Sequence, residues 1–166
     1  MGNVHSRVIH NNYRVWKMTT VAYKNGVMAA DSAITDGSMR GGKLWKITRH
    51  DASGALLGVA GKVTEVVDYL NYFRRYGVTK SKKFNLAEST GLIATVEGTV
   101  MLVEDSTIYP IEEEYFAIGS GAAMAMTAMR CGCSAIIAVK IACELDLFSG
   151  PPVRALTHSG DRACTE

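Results

Sequence analysis

The sequence has little excess charge of either sign, since the formal net charge of its 166 residues is only +2. So mild and evenly spread a balance argues against nucleic acid as the main partner. The sequence also lacks a GxSxG elbow, an HExxH zinc motif and a P-loop. The four histidines are scattered with no evident acidic partner, so a Ser-His-Asp triad is not indicated either.

The sequence has too few cysteines to stabilise its fold through disulfide bonds. The four cysteines lack both the CxxC pairs of a zinc site and the density of a secreted disulfide scaffold. Cys131 and Cys133 flank Gly132 in a predicted turn between helices, with no second pair of ligands nearby. We therefore expect reduced thiols in a cytoplasmic protein, with no metal and no other cofactor.

The first 17 residues are polar, basic and unpatterned, whereas the sequence from Met18 onward is strand-like. This stretch contains no apolar core long enough for a signal peptide or a membrane span, so we expect no membrane partner. Met1-Gly2 with Ser6 satisfies the loose myristoylation pattern, but that pattern is common by chance. An upstream extension, a propeptide or a mis-called start explains residues 1–18 better.

The remainder, residues 19–166, has the length of one ordinary domain and can bury an independent core. It begins with two β-prone segments joined by Asn25-Gly26, a strong hairpin signal. Other β-prone segments follow along the chain, and most are separated by glycine-containing turns. The predicted strands are Thr19–Lys24, Val27–Asp31, Lys43–Ile47, Ala55–Ala60, Leu92–Val96, Thr99–Val103, Thr107–Ile111 and Tyr115–Ile118.

Three helices interrupt and follow these strands. Apolar residues at three- and four-residue steps predict the first helix from Val63 to Phe73, ended by Gly77. Two more are predicted over Ser120–Met129 and Ala135–Leu145, and Pro151-Pro152 limits the last one. This order of elements favours an α+β fold with helices packed on antiparallel sheets.

Five segments of the sequence resemble, in the same order, the conserved motifs of proteasome β-subunits and of the bacterial HslV peptidase. They are TTVAYKNGVMAADS from Thr19, GKLWKI from Gly42, GVAG from Gly58, AIGSG from Ala117 and DLFSGPPV from Asp146. The segments also resemble those of compact proteasome-like proteins of bacteria and phages. The resemblance implies a four-layer αββα sandwich, in which helices flank two antiparallel sheets. Because few residues follow Ser149, we expect a shortened C-terminal edge.

Carried over residue by residue, the resemblance implies a catalytic site. Thr19 would be the nucleophile, Asp31 the acid after the second strand, and Lys43 the basic residue that opens the next strand. Gly61 would supply the oxyanion hole, and Val59 would form the floor of the specificity pocket and favour small or medium apolar residues. The outer members of the site would be Ser120, Asp146 and Ser149.

The chemistry requires Thr19 to be the first residue of the working chain. A terminal α-amine has a pKa near 8 and can accept the proton of the Thr hydroxyl, directly or through one water. The positive charge of Lys43 would favour the alkoxide and the neutral amine, and Asp31 would hold that ammonium in position.

Each of these residues also has a structural interpretation. Asp31 could cap a turn, Lys43 could be a solvated strand end, and Ser120 could be a helix N-cap. Thr20 competes with Thr19 for the first position. Met18 stands where propeptides of the family usually have Gly, so either self-cleavage or translation from Met18 with removal of that residue could expose Thr19.

The resemblance also implies partners. Family members stack in six- or seven-membered rings with the threonines facing an inner chamber, and an ATP-driven unfoldase controls access. We therefore expect a polypeptide substrate, a homo-oligomeric ring and an unfoldase. Two alternatives stay open: a small-molecule amide hydrolase of the same fold, and a non-catalytic ring subunit that keeps its extension.

Overall fold

The computed structural model describes residues 19–36, 39–78 and 86–163. The N-terminal extension with its myristoylation pattern, residues 1–18, lies outside these ranges, and so does Cys164. Within them the chain begins with six strands, followed by α1, four further strands, two helices and a final pair of strands. Their bounds are β1 Thr20–Lys24, β2 Val27–Ala30, β3 Ala33–Asp36, β4 Met39–Lys43, β5 Ile47–Arg49, β6 Leu56–Gly61, α1 Val63–Tyr76, β7 Leu86–Ala94, β8 Val100–Asp105, β9 Thr107–Ile111, β10 Tyr115–Gly119, α2 Ala122–Arg130, α3 Ala135–Leu145, β11 Arg154–Thr157 and β12 Gly160–Ala163.

The first sheet is five-stranded and has the order β10-β1-β2-β11-β12. Its central hairpin, β1 and β2, turns at Asn25 and Gly26, whose φ angles are 50° and 76°. Positive φ at both turn positions gives the twist that suits a tight hairpin, and Asn-Gly adopts it at little cost. The hairpin expected from the sequence is confirmed, and it places β1 in the interior of this sheet.

The second sheet is also five-stranded and has the sequential order β5-β6-β7-β8-β9. All of its pairs are antiparallel. Strand β6 is buried along almost its whole length, as its continuous apolar sequence predicts for a strand covered on both faces. Strand β7 beside it is buried over Thr90–Ala94 as well.

Alternation along the strands separates three apolar clusters. Val21 and Tyr23 of β1 lie in the cluster between the two sheets, whereas Ala22 of the same strand packs under α2 and α3. On the far side, Leu57 and Val59 of β6 pack with the apolar face of α1. The layers are therefore α1, second sheet, first sheet, and the pair α2 and α3. The four-layer αββα sandwich of antiparallel sheets expected from the sequence is confirmed.

Several segments differ from the expectations, and β7 begins at Leu86 and not at Leu92. The polar, glycine-bounded segment after Ser32 contributes β3 and β4, which pair antiparallel as a separate two-stranded sheet. The residues after Pro152 add β11 and β12 to the edge of the first sheet, because β11 pairs with β2 along its length. The strand expected at Lys43–Ile47 is interrupted, since β4 ends at Lys43 and β5 begins only at Ile47.

No helix within the described ranges is long and apolar enough to cross a membrane.

The close contact between the two sheets depends on Gly58 of β6. A Cβ at this position would collide with the Val21 side chain and would lie 3.1 Å from Met28 Sδ and 3.3 Å from Ile47 Cγ2. We expect Gly58→Ala to lower the free energy of unfolding by about 1–3 kcal/mol, because the sheets cannot separate without losing packing. Chemical denaturation measures this. Gly41→Ala is the control, since a Cβ there meets nothing within 4 Å. Equal stability of the two variants would contradict the prediction.

Candidate active site

The Thr19-Thr20 pair lies at the start of β1, between β10 and β2. In the full chain both residues are buried, with 1% and 0% of their surfaces exposed. Their main-chain atoms face two different groups of side chains. The Thr20 N–H donates to Asp31 Oδ1 at 3.0 Å, and the Thr19 N–H donates to Ser120 Oγ at 3.3 Å.

Asp31 follows β2 and forms a buried ion pair with Lys46. Lys46 Nζ lies 2.9 Å from Asp31 Oδ1 and 3.1 Å from Oδ2, and both side chains are almost completely enclosed. The carboxylate also accepts the N–H groups of Ala33 and Gly150 on Oδ2, at 3.0 and 3.1 Å. The bond to Ala33 makes Asp31 a turn cap as well, so its structural and charge-pairing roles coexist.

The lysine of the site is Lys46 and not Lys43. Lys43, expected to open a strand and to place its charge near Thr19, is instead the exposed last residue of β4, and the ammonium that the structure buries beside Asp31 is that of Lys46. The chain leaves the strand conformation between Lys43 and Ile47. Lys46 therefore turns inward, where Asp31 and the Ala33 carbonyl, 2.6 Å away, receive its ammonium. An ammonium that enters an apolar interior needs such partners.

Burial lowers the pKa of the Lys46 ammonium below its ordinary value of 10.5, and the adjacent Asp31 carboxylate opposes this shift. Desolvation is the larger of the two effects. The lysine is therefore a more readily deprotonated group than a surface lysine, although it is held beside a carboxylate.

A second group of polar side chains joins α3 and the loop after it to β1. Ser120 and Ser149 both donate to Asp146 Oδ2, each at 2.6 Å. Ser149 Oγ lies 2.7 Å from Thr20 Oγ1, while Ser120 Oγ is the acceptor of the Thr19 N–H. Ser120 is not the N-cap of α2, since that position belongs to Gly121. The structure thus brings Ser120, Asp146 and Ser149 together around the Thr19-Thr20 pair.

Glycines on both sides of Ser120 allow this contact. Gly119 has a φ of 98°, and a Cβ there would collide with the Thr19 carbonyl. A Cβ at Gly121 would collide with Thr20 Oγ1 and would lie 3.0 Å from Ala142 Cβ. Only glycine lets the main chain approach the two threonines so closely. The GSG part of the AIGSG block is therefore a steric requirement of the site.

The end of β6 approaches the same region. A Cβ at Gly119 would lie 3.3 Å from Ala60 Cβ, which places Ala60 beside Thr19 and Gly61 one residue further. Gly61 has a φ of 141° and packs against Glu88 and Ser89 of β7. The buried Ser89 hydroxyl accepts the Lys62 N–H at 3.0 Å and so holds this turn. Val59 is fully buried under α1, and its role as a pocket floor stays a prediction.

Two features escaped sequence reasoning. Lys46 was missed because Lys43 and Lys46 are both lysines of one short segment, and only the break in the strand distinguishes them. Lys46 lies between Trp45 and Ile47 in the sequence. A lysine between apolar residues is a sign of a buried lysine, and this sign could have identified Lys46. The Thr20 hydroxyl was treated only as a competitor of Thr19, whereas the structure connects it to Ser149.

A groove of about 460 Å³ is lined by Leu44 and Trp45, which precede Lys46 in the sequence, and by Val67 and Leu70 of α1. Thr19, Asp31 and Lys46 are not among the residues that line this groove. Across the described ranges, no three His, Cys, Asp or Glu side chains gather as ligands of a metal would.

Comparison of the structure with solved structures identifies similar folds. The chain resembles BPH of Thiobacillus denitrificans in complex with epoxomicin with a TM-score of 0.61 and 19% identity, over 83% of this chain and 96% of that one. It resembles the eukaryotic HslV of Trypanosoma brucei with a TM-score of 0.60 and 20% identity, over 84% and 99% of the two chains. No protein-family model and no curated protein sequence matches the chain. The fold is therefore that of the HslV and proteasome-like proteins.

The two lysines make a matched pair for a stability test. We expect Lys46→Met to lower the free energy of unfolding by about 3 kcal/mol, because the variant leaves the buried Asp31 carboxylate without its charge partner. Lys43→Met should leave stability within about 0.5 kcal/mol, since that side chain is exposed. Urea denaturation of both variants provides the comparison. A larger loss in Lys43→Met than in Lys46→Met would restore the original assignment.

Proposed function

We propose that the chain is a threonine peptidase that uses Thr19 as an N-terminal nucleophile. The observation that carries this proposal is the convergence of two polar groups on the first residues of β1. The Asp31–Lys46 pair reaches the Thr20 N–H, and the Ser120–Asp146 pair reaches the Thr19 nitrogen. A structural role for β1 alone would not require a buried ion pair and a buried carboxylate at Thr19 and Thr20.

The nitrogen of Thr19 would be the general base. When Thr19 is the first residue, its α-amine has an unperturbed pKa near 8 and can take the proton of its own hydroxyl, directly or through one water. The Thr19 hydroxyl oxygen then attacks the carbonyl carbon of the substrate amide. The protonated amine later returns its proton to the leaving nitrogen, and water hydrolyses the acyl-enzyme ester. Ser120 and Asp146 would orient the amine throughout.

Lys46 would supply the positive charge that was first assigned to Lys43. Its ammonium favours the alkoxide form of the nucleophile and the neutral form of the nearby amine. Asp31 offsets the cost of burying that charge and fixes its position through three N–H donors of the main chain. Burial lowers the pKa of the Lys46 ammonium, and the adjacent Asp31 carboxylate opposes this shift and so favours the charged form.

The end of β6 would bind the substrate at the scissile bond. A tetrahedral intermediate requires N–H donors beside its oxyanion, and we assign that role to the Gly61 N–H because Ala60 lies beside Thr19. We assign the floor of the specificity pocket to Val59 of β6, a medium apolar side chain that would favour small or medium apolar residues before the cleaved bond. A library cleaved mainly after charged residues would contradict this preference.

A homo-oligomeric ring is part of the proposal. Several large apolar side chains are exposed on the single chain, among them Ile137, Leu145 and Leu147, the last at 82% exposure. Leu145 and Leu147 flank Asp146, so subunit contacts there would also shield the site from water. An ATP-driven unfoldase that delivers polypeptides to such a ring stays a prediction.

Intact mass spectrometry tests the nucleophile. We expect the purified full-length protein to acquire the mass of residues 19–166, and to gain the mass of one epoxomicin after treatment with that compound. The same treatment of Thr19→Ala should add no mass. A protein that keeps residues 1–18 and does not react would indicate the non-catalytic subunit instead.

Activity measurements separate the peptidase from the amide hydrolase. The protein should cleave fluorogenic peptides with an apolar residue before the scissile bond, and Thr19→Ala should lose at least about 10³-fold in kcat/KM, as expected for removal of a nucleophile. Small acyl amides should be poor substrates. Hydrolysis of acyl amides without cleavage of peptides would replace the peptidase with the hydrolase of the same fold.

A further inference from the structure

Thr20 carries a hydroxyl group that the proposed reaction does not use. The residue is completely buried, and its Oγ1 lies 2.7 Å from Ser149 Oγ. The main chain at Gly121 packs directly against this hydroxyl, where a Cβ would collide with it. A buried hydroxyl held this closely between a serine and a glycine has a defined orientation, and its proton has a definite acceptor.

The direction of this hydrogen bond follows from the neighbouring contacts. The Ser149 hydroxyl has one proton, which it donates to Asp146 Oδ2 at 2.6 Å. Thr20 Oγ1 is therefore the donor and Ser149 Oγ the acceptor. Asp146 Oδ2 also accepts the proton of Ser120 at 2.6 Å, and Ser120 Oγ accepts from the Thr19 nitrogen. A continuous chain of hydrogen bonds thus runs from the Thr20 hydroxyl to the nitrogen of the preceding residue.

We propose that Thr20 is a positioning residue that sets the basicity of the Thr19 amine through Ser149, Asp146 and Ser120. The inference rests on the proposed function, since it assigns a role in the same reaction. Its basis is a single carboxylate oxygen shared by two hydroxyls: Ser149, which Thr20 orients, and Ser120, which contacts the Thr19 nitrogen.

The sign of the effect follows from polarisation along the chain. Donation from Thr20 makes the Ser149 O–H a stronger donor and draws negative charge of Asp146 toward Ser149. Without the Thr20 hydroxyl, more of that charge acts on Ser120 and on the amine beyond it. A stronger negative charge near the amine favours the ammonium form and raises its pKa. The neutral amine needed as a base would then form only at higher pH.

The test uses Thr20→Val, which keeps the shape of the side chain, and Thr20→Ser, which keeps its hydroxyl. Thr127→Val is the matched control, because the Thr127 hydroxyl donates to the Ala123 carbonyl on an exposed part of α2. The Thr19-initiated protein is obtained from the processed full chain or from a gene that starts at Met18. The dependence of kcat/KM on pH is measured for peptide cleavage, and the pKa of the amine is measured separately from the pH dependence of its acylation.

We expect Thr20→Val to move the acidic limb of kcat/KM to higher pH. On the acidic side kcat/KM should fall about fivefold, the equivalent of one net hydrogen bond, and it should approach that of the unaltered protein at alkaline pH. The amine pKa should rise in parallel. Thr20→Ser should retain the original limb, and Thr127→Val should change neither quantity. Thr20→Ala removes the same hydroxyl without adding a methyl group and should move the limb in the same direction if Thr20→Val does not fold.

Two outcomes separate this inference from the proposed function. If peptides are cleaved and Thr19 reacts with epoxomicin, but the amine pKa is the same in Thr20→Val and Thr20→Ala, the positioning role is overturned and the function stands. If the unaltered protein cleaves nothing, but the amine pKa still rises in those variants, the positioning role stands and the function fails. A uniform loss of kcat/KM at every pH that Thr20→Ser does not restore would also overturn the inference, since it indicates only packing.

Discussion

The architecture of the site depends on the carboxylate of Asp31. It accepts main-chain N–H groups from Thr20, Ala33 and Gly150 and the ammonium of Lys46, all at 2.9–3.1 Å. These donors come from segments far apart in the sequence: the start of β1, the start of β3, the link before β5 and the loop after α3. A buried carboxylate without such donors would be too costly to keep ionised. The segments are therefore held together by the same interaction that places the lysine.

Asp146 has the corresponding function on the other side of β1. Its Oδ2 accepts Ser120 and Ser149, and these hydroxyls reach the nitrogen of Thr19 and the hydroxyl of Thr20. Thr19 and Thr20 are thus fixed by two independent carboxylates: Asp31, which has a charged partner, and Asp146, which acts through hydroxyl groups. This division suits the proposed reaction, because the lysine acts on the nucleophile while the neutral hydroxyls orient the base without competing for its proton.

Most of the fold could be predicted from local sequence patterns. The Asn25-Gly26 turn, the apolar run of β6 and the helical spacing in α1 each reflect a rule that acts over a few residues. The elements that were not predicted depend instead on contacts between distant parts of the chain. The hairpin of β3 and β4 has a polar sequence, and β11 is defined by its pairing with β2, far away in the chain. Register between distant strands is decided by the assembled sheet, so propensity alone could not reveal it.

The site, too, depends on contacts between distant residues that local sequence patterns do not reveal. Motif order led to Thr19, Asp31, Ser120, Asp146 and Ser149, and the structure gathers all five. Lys46 was not separated from Lys43, because both follow the same glycines and both precede apolar residues, and the position of Lys46 between Trp45 and Ile47 was the one local signal in its favour. The choice depends on where β4 stops, and that is a property of the hairpin it forms with β3. The hydroxyl of Thr20 is a similar case, since its acceptor lies 129 residues further along the chain.

The arrangement around Thr19 is already complete in the full chain, where its nitrogen belongs to a peptide bond. An amide N–H donates to Ser120 but cannot accept a proton, so the group that the reaction needs as a base is absent in that form. In the proposed peptidase, exposure of Thr19 would convert this donor into an amine beside Ser120 and Asp146, which the full chain already gathers. The site is in this sense preorganised, because conversion of the Thr19 amide nitrogen into an amine would create the base. In the proposed peptidase, the covalent state of the N-terminus would therefore control activity.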